Sequence, residues 1–172
     1  MKRDNVSYLT RGAVIAALYV ALTITPPLNA ISYGQIQFRI SEALNVLAFF
    51  EPAAIPGLFV GCMLANALGI PLGNSLGIID VIFGSFLTLV SAYLIWKIKK
   101  PLVALLAPVI INALGVALEL NWVLGLPYWA SVLFVGIGET VVIYALGYPL
   151  LAILLRGKAL VREDIYQQKI GN

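Results

Sequence analysis

Asp80, Glu119 and Glu139 stand inside runs of apolar residues and are the side chains of this sequence best suited to do chemistry. A charged side chain placed mid-bilayer costs roughly 2.5 to 3.5 kcal/mol on insertion scales, so each acid needs a partner or a water-filled cavity. All three are expected in the outer half or middle of the membrane. Glu119 follows Asn112 by seven residues, two helical turns on one face, and Glu139 follows Tyr128 by eleven, which again aligns them. Asn121, Trp122, Tyr128 and Trp129 fall between the last two apolar runs, where their rings are able to stack on a flat ligand at the outer mouth. The competing readings are structural. Glu119 and Glu139 also suit internal hydrogen bonds or plain protonation, Asp80 a helix cap, and the tryptophans an interfacial belt.

Absences narrow the chemistry further. The chain holds no histidine, and no Gly-rich stretch ending in Lys and Ser or Thr that would cradle ATP phosphates. It lacks paired Asp-rich boxes for Mg²⁺ and diphosphate, and a Ser or Cys nucleophile with a base. No catalytic residue, cofactor or metal site is expected, and the chain is not read as an enzyme. Its single cysteine, Cys62, sits in an apolar run, forms no disulfide within one chain, and is expected to be a small packing residue.

These side chains must be positioned by membrane helices. With 61% hydrophobic and 11% charged residues, and a mean hydropathy of +0.97, 172 residues carry too little polar surface to coat a soluble globule. The expected fold is an all-α, six-helix transmembrane bundle with segments at 9–25, 36–50, 53–68, 78–96, 102–120 and 129–155, forming one domain over residues 1–172. Pro26 and Pro27 close the first segment, and the absence of a small-residue cleavage signal keeps it as a helix. The second is short for a bilayer that needs roughly 20 apolar residues. Glu51 and Pro52 make a turn before the third.

The net charge of +3 is topological. With the termini inside, Lys2, Arg3, Arg11, Lys97, Lys99, Lys100, Arg156, Lys158, Arg162 and Lys169 all fall on the cytoplasmic side, as the positive-inside rule asks. Arg39 is the exception. It either snorkels to the outer interface, pairs with Glu42 one turn later, or acts in substrate closure.

Small residues mark the packing. Gly57, Gly61, Ala65 and Gly69 recur every four residues on the third segment, a seam that lets another helix approach closely. Gly84, Thr88 and Ser91 share a face of the fourth. Ala13, Ala17 and Ala21 repeat the device on the first, where the face serves either internal packing or a partner protein.

Several blocks together resemble a known family: Gly34-Gln35-Ile36-Gln37-Phe38-Arg39-Ile40-Ser41-Glu42-Ala43-Leu44, residues 51–66, Ile79-Asp80-Val81-Ile82-Phe83-Gly84-Ser85, and Leu118-Glu119-Leu120. With Gly125-Leu126-Pro127-Tyr128-Trp129 and Val135-Gly136-Ile137-Gly138-Glu139-Thr140, the chain resembles the QueT family over about residues 8–155. The resemblance implies a six-helix S component of an energy-coupling factor (ECF) transporter in a bacterial cell membrane. Such a subunit binds a queuosine precursor and works with a transmembrane T subunit and two cytosolic ATPases. It also implies that Ala13 and Ala17 foremost, with Ala21, dock the T subunit.

A 7-deazaguanine presents two adjacent donors, N1–H and the 2-amino group, which one carboxylate accepts bidentately, and an O6 that accepts from Asn or Arg. On the resemblance, Glu119 or Glu139 reads this edge and the other meets the aminomethyl cation if the ligand is preQ1; Asp80 is a further candidate. Asn112 and Asn121 add hydrogen bonds, Trp122, Tyr128 and Trp129 stack, and the loop at 33–39, with Tyr33, Gln37 and Arg39, closes the pocket. The alternatives are an S component for another vitamin or nucleobase, a standalone proton-coupled secondary transporter, and a structural subunit without ligand.

Overall fold

Apolar runs leave the backbone no polar partner but itself in a bilayer, so each becomes a helix. The computed structural model describes residues 3–33 and 37–156, and among them no strand occurs. Five stretches are long and apolar enough to cross a membrane: Asn5–Ile24, Ala54–Leu72, Asp80–Lys97, Pro101–Leu124 and Tyr128–Arg156. The shorter apolar helix Ile40–Phe49 is the remaining segment of the expected six. The protein is an all-α, multi-pass membrane protein. Lys2, Lys158, Arg162, Lys169 and the 34–36 portion of the expected closing loop lie outside the described residues.

The second segment is a 3₁₀ helix, Ile40–Phe49, rather than an α-helix. A 3₁₀ helix rises about 2.0 Å per residue against about 1.5 Å for an α-helix, so ten residues reach about 20 Å. It runs through the middle of the bundle, packed against the first, third, fourth and sixth segments, with almost every side chain buried.

Two other segments depart from regular α geometry. The fourth opens with a π turn, Asp80–Gly84, before the helix Ser85–Lys97. The sixth carries a second π turn, Ile143–Gly147, between helices Tyr128–Val142 and Tyr148–Arg156. Pro149 accounts for the second, because its missing N–H leaves the carbonyl of Ala145 without its usual donor. There Gly147 meets the 3₁₀ helix so closely that an added Cβ would lie 2.9 Å from Val46 Cγ1.

The small-residue seam of the third segment packs on the first. A Cβ on Gly57 would stand 2.7 Å from the Gly12 carbonyl oxygen, and one on Gly61 2.9 Å from Tyr19 Cβ. Gly12, Ala16 and Tyr19 therefore face inward, Ala17 and Ala21 are exposed away from the seam, and Ala13 is exposed at its edge, in a groove with Gly57 and Val60. A large apolar cluster including Tyr19, Phe49, Leu58, Ile95, Leu105 and Leu151 fills one half of the bundle. A smaller one, Leu76, Leu87, Val116, Leu120 and Val135, closes the other. Arg11 pairs with Glu51 at 2.9 Å, and Glu51 Oε1 also accepts from the Ala53 N–H, so Glu51 is the turn residue expected.

The seam makes a stability prediction. Gly61→Leu forces the first and third segments apart and is expected to cost about 1–3 kcal/mol, read as a fall in the melting temperature of the detergent-purified chain. Ala17→Leu, on the open face of the same helix, should leave melting unchanged; an equal loss in both would mean that the seam is not the tight contact.

Candidate functional site

Side chains three apart on a 3₁₀ helix lie one above the other. Glu42 and Asn45 form such a column, and Asn45 Nδ2 donates to Glu42 Oε2. Tyr19 of the first segment donates its hydroxyl to Glu42 Oε1. From the fifth segment, Asn112 Nδ2 donates to Glu42 Oε2 at 3.4 Å and to Glu139 Oε1 at 2.8 Å. One amide thus joins two buried carboxyl groups from different segments. Among the described residues, no donor reaches Glu139 Oε2.

Arg39 precedes the 3₁₀ helix in extended backbone, which sends its side chain toward the fourth segment rather than toward Glu42. It neither snorkels nor pairs with Glu42, contrary to the simplest expectations. It is 7% exposed, its Nη2 lies 3.4 Å from Asp80 Oδ2, and its guanidinium stands 5.4 Å from the centre of the Tyr33 ring. Its Nε is buried without a partner among the described residues. Burial pushes the Tyr33 phenol up to about 12, with Arg39 opposing, so it stays protonated and donates to the Ala65 carbonyl at 2.8 Å.

Asp80 is no helix cap. It sits inside the π turn, where Asn74 Nδ2 donates to its carboxylate at 2.9 Å and Asn66 Nδ2 to its carbonyl at 2.8 Å. Gly84 supplies the room for the carboxylate, since Asp80 Oδ1 occupies the space of the missing Cβ. Cys62 is more than packing, because its sulfur accepts from Thr88 at 3.3 Å and Asn66 at 3.5 Å within this cluster.

Gln37, Arg39, Glu42, Asp80, Asn112 and Glu139 line a chamber of about 10 Å³, room for about one water molecule. Beside it lies a vestibule of about 160 Å³ bounded by Tyr33, Gln37, Asn74, Leu76, Leu120 and Leu126. Gln37 lines both. Its carbonyl rests on Gly138, where a Cβ would collide with it, and the neighbouring Phe38 N–H donates to the Ile31 carbonyl at 2.9 Å. A far larger groove of about 600 Å³ between the fifth and sixth segments is lined by apolar side chains facing lipid, with no converging polar groups, and is not the site. Among the described residues, no group of three His, Cys, Asp or Glu side chains is placed to hold a metal.

The structure brings together Arg39, Asp80, Asn112, Glu139, Gln37 and Tyr33 of the expected residues. Glu119 is 1% exposed, with both carboxylate oxygens unpartnered among the described residues; it lies between Val116, at the chamber, and Leu120, at the vestibule. The aromatic residues do not join the cluster. Trp122 and Trp129 stand about 80° round their helices from Asn112 and Glu139 at 100° per residue, and they are 81% and 75% exposed. Tyr128 packs edge-on against Trp129 at 5.1 Å and donates to the Leu114 carbonyl, and Asn121 donates to the Leu126 carbonyl at 2.7 Å to fix the turn. Glu42 was the omission: it is an acid inside an apolar run, the same signal that singled out the others. Tyr19, Asn66 and Asn74 carry no such signal.

Residues 9–156 match the model of the family described as QueT transporter. Over 90 residues the chain is 48% identical to the queuosine precursor transporter QueT of Lactococcus lactis subsp. cremoris, an alignment covering 52% of this chain and 50% of that protein. The chain thus spans about half the length of the curated relative it matches. No solved structure matches it.

The Arg39–Asp80 pair yields a prediction of its own. Arg39→Met strands Asp80 as a buried lone charge and is expected to cost about 3–5 kcal/mol. Adding Asp80→Asn should restore part of that loss in thermal melting; a double variant no more stable than Arg39→Met would show that the two side chains are not coupled.

Proposed function

The chain belongs to the QueT transporter family, and from that premise we propose that it is the specificity subunit of an ATP-driven ECF importer for a queuosine precursor. The observation that carries the reading is the buried chamber, where Arg39, Asp80, Asn112 and Glu139 converge inside the membrane. Buried polar groups of this density in a transporter mark a substrate site. Their chemistry suits a 7-deazaguanine, because carboxylates accept from the N1–H and 2-amino edge while Asn112 or Arg39 donates to O6. At about 10 Å³ the chamber is too small for a bicyclic ring, so binding enlarges it toward the adjoining vestibule, which Gln37 also lines.

Partner subunits complete the machine. The chain has no ATP-binding motif, which fits energy supplied by two cytosolic ATPases through a T subunit. Ala13, Ala17 and Ala21 form the docking face, supported by their exposure beside a seam that other residues already fill. The ends bearing Arg11, Lys97, Lys99, Lys100 and Arg156 face the cytoplasm, and the chain acts as a single substrate-binding domain.

The test is calorimetric titration of the purified chain with preQ0, preQ1, queuine and guanine, with thiamine, riboflavin and biotin as controls. Calorimetry is preferable to tryptophan fluorescence because Trp122 and Trp129 stand away from the chamber. A 7-deazaguanine alone should bind, and Glu139→Gln or Glu119→Gln should weaken it about 10- to 100-fold, the range of one hydrogen bond to a charged group. A vitamin response, or neither variant affecting binding, overturns the substrate. Protonophore-sensitive uptake by the chain alone would replace the ECF reading with secondary transport.

A further inference from the structure

Resting on the queuosine-precursor reading, we infer that the chamber selects a cationic 7-deazaguanine, with its amine held between Glu42 and Glu139 and its guanine-type edge on Glu119. Among the described residues, four carboxyl groups, Glu42, Asp80, Glu119 and Glu139, are buried near a single buried cation, Arg39. Arg39 shares the chamber but forms its ion pair with Asp80, which leaves Glu42, Glu119 and Glu139 without an ion-pair partner among the described residues. Two neighbouring carboxylates joined only through the Asn112 amide repel one another when both are ionised. A ligand ammonium relieves that repulsion; a neutral ligand does not.

The unpartnered atoms indicate how the rest of such a ligand lies. An N1–H and 2-amino edge needs both oxygens of one carboxylate, and Glu119 has both oxygens buried and unpartnered among the described residues. Glu139 Oε1 is already taken by Asn112. The Nε of Arg39, also without a partner among the described residues, is a donor at the chamber wall for the ring carbonyl. Glu119 lies two helical turns from Asn112, about 10 Å along the fifth segment. That interval suits a bicyclic ring reaching from Glu119, with a one-carbon amine arm ending at the Glu42–Glu139 pair. Glu42 thereby becomes a specificity-determining residue, held in place by Tyr19 and Asn45.

The two ligands that decide this differ only at the arm: preQ1 carries an aminomethyl cation and preQ0 a neutral nitrile. Titrated calorimetrically against the intact chain in lipid nanodiscs, preQ1 should bind at least about tenfold tighter than preQ0, the scale of one charge-assisted hydrogen bond. Glu42→Gln should shrink that ratio toward one, and Glu119→Gln should weaken both ligands by a similar factor. Equal affinity of the unsubstituted chain for preQ1 and preQ0 overturns charge selection and leaves the queuosine-precursor reading standing. If the unsubstituted chain prefers preQ1 but Glu42→Gln keeps the full ratio while remaining folded by thermal melting, the assignment of Glu42 is wrong. Binding of no 7-deazaguanine removes both readings together.

Discussion

A charge taken out of water must be met by another charge or by hydrogen bonds, and inside a bilayer no solvent repairs an omission. The arrangement of this bundle follows from meeting that demand for Arg39, Glu42, Asp80 and Glu139. Arg39 and Asp80 answer each other, and Asn74 adds a donor to the carboxylate. Glu42 collects donors from Tyr19, Asn45 and Asn112, and Asn112 reaches on to Glu139. These contacts tie the first, second, fourth, fifth and sixth segments into one network. Helices in lipid gain little from apolar contact alone, so such polar ties and close small-residue packing fix their register.

Irregular backbone is what lets the network close. The 3₁₀ helix stacks Glu42 over Asn45 and carries its short segment farther through the membrane than ten α-helical residues would go. The π turn at Asp80–Gly84 places the Asp80 carboxylate within reach of Arg39 and Asn74, with Gly84 leaving space for it. The π turn of the sixth segment lets Gly147 approach Val46 on the 3₁₀ helix. Non-helical backbone at membrane depth is tolerated where protein rather than lipid surrounds it, which describes the 3₁₀ helix, while each π turn buries one side and leaves Ile82 or Leu146 exposed on the other.

The candidate site was legible in part. Asp80 and Glu139 were visible because an acid in an apolar run is expensive, and Asn112 because of its place on the same face as Glu119. Glu42 carried the same signal, but its nearness to Arg39 in sequence suggested a local ion pair. Extended backbone at Arg39 breaks that pair by pointing the guanidinium at Asp80, 41 residues away. Trp122 and Trp129 read as stacking groups from their position at the mouth. Helical phase turns both outward, and neighbouring-residue composition does not report that phase at the end of a segment.

Composition and spacing by themselves determined that the chain lies in a membrane, where its segments fall to within about a turn for most, and that Gly57 and Gly61 make a tight seam. These follow from local quantities: transfer cost of each residue, helix-breaking by proline, and the room left by a missing Cβ. Only the tertiary structure decided that Arg39 belongs to Asp80, that Glu42 shares Asn112 with Glu139, and that Gln37 rests on Gly138 beside both cavities. Those partners lie 41, 70 and 101 residues apart in the chain, and which of several buried acids meets which donor depends on helix rotation and backbone irregularity. A polar group in lipid states in the sequence that it needs a partner; the packing of distant segments chooses which one.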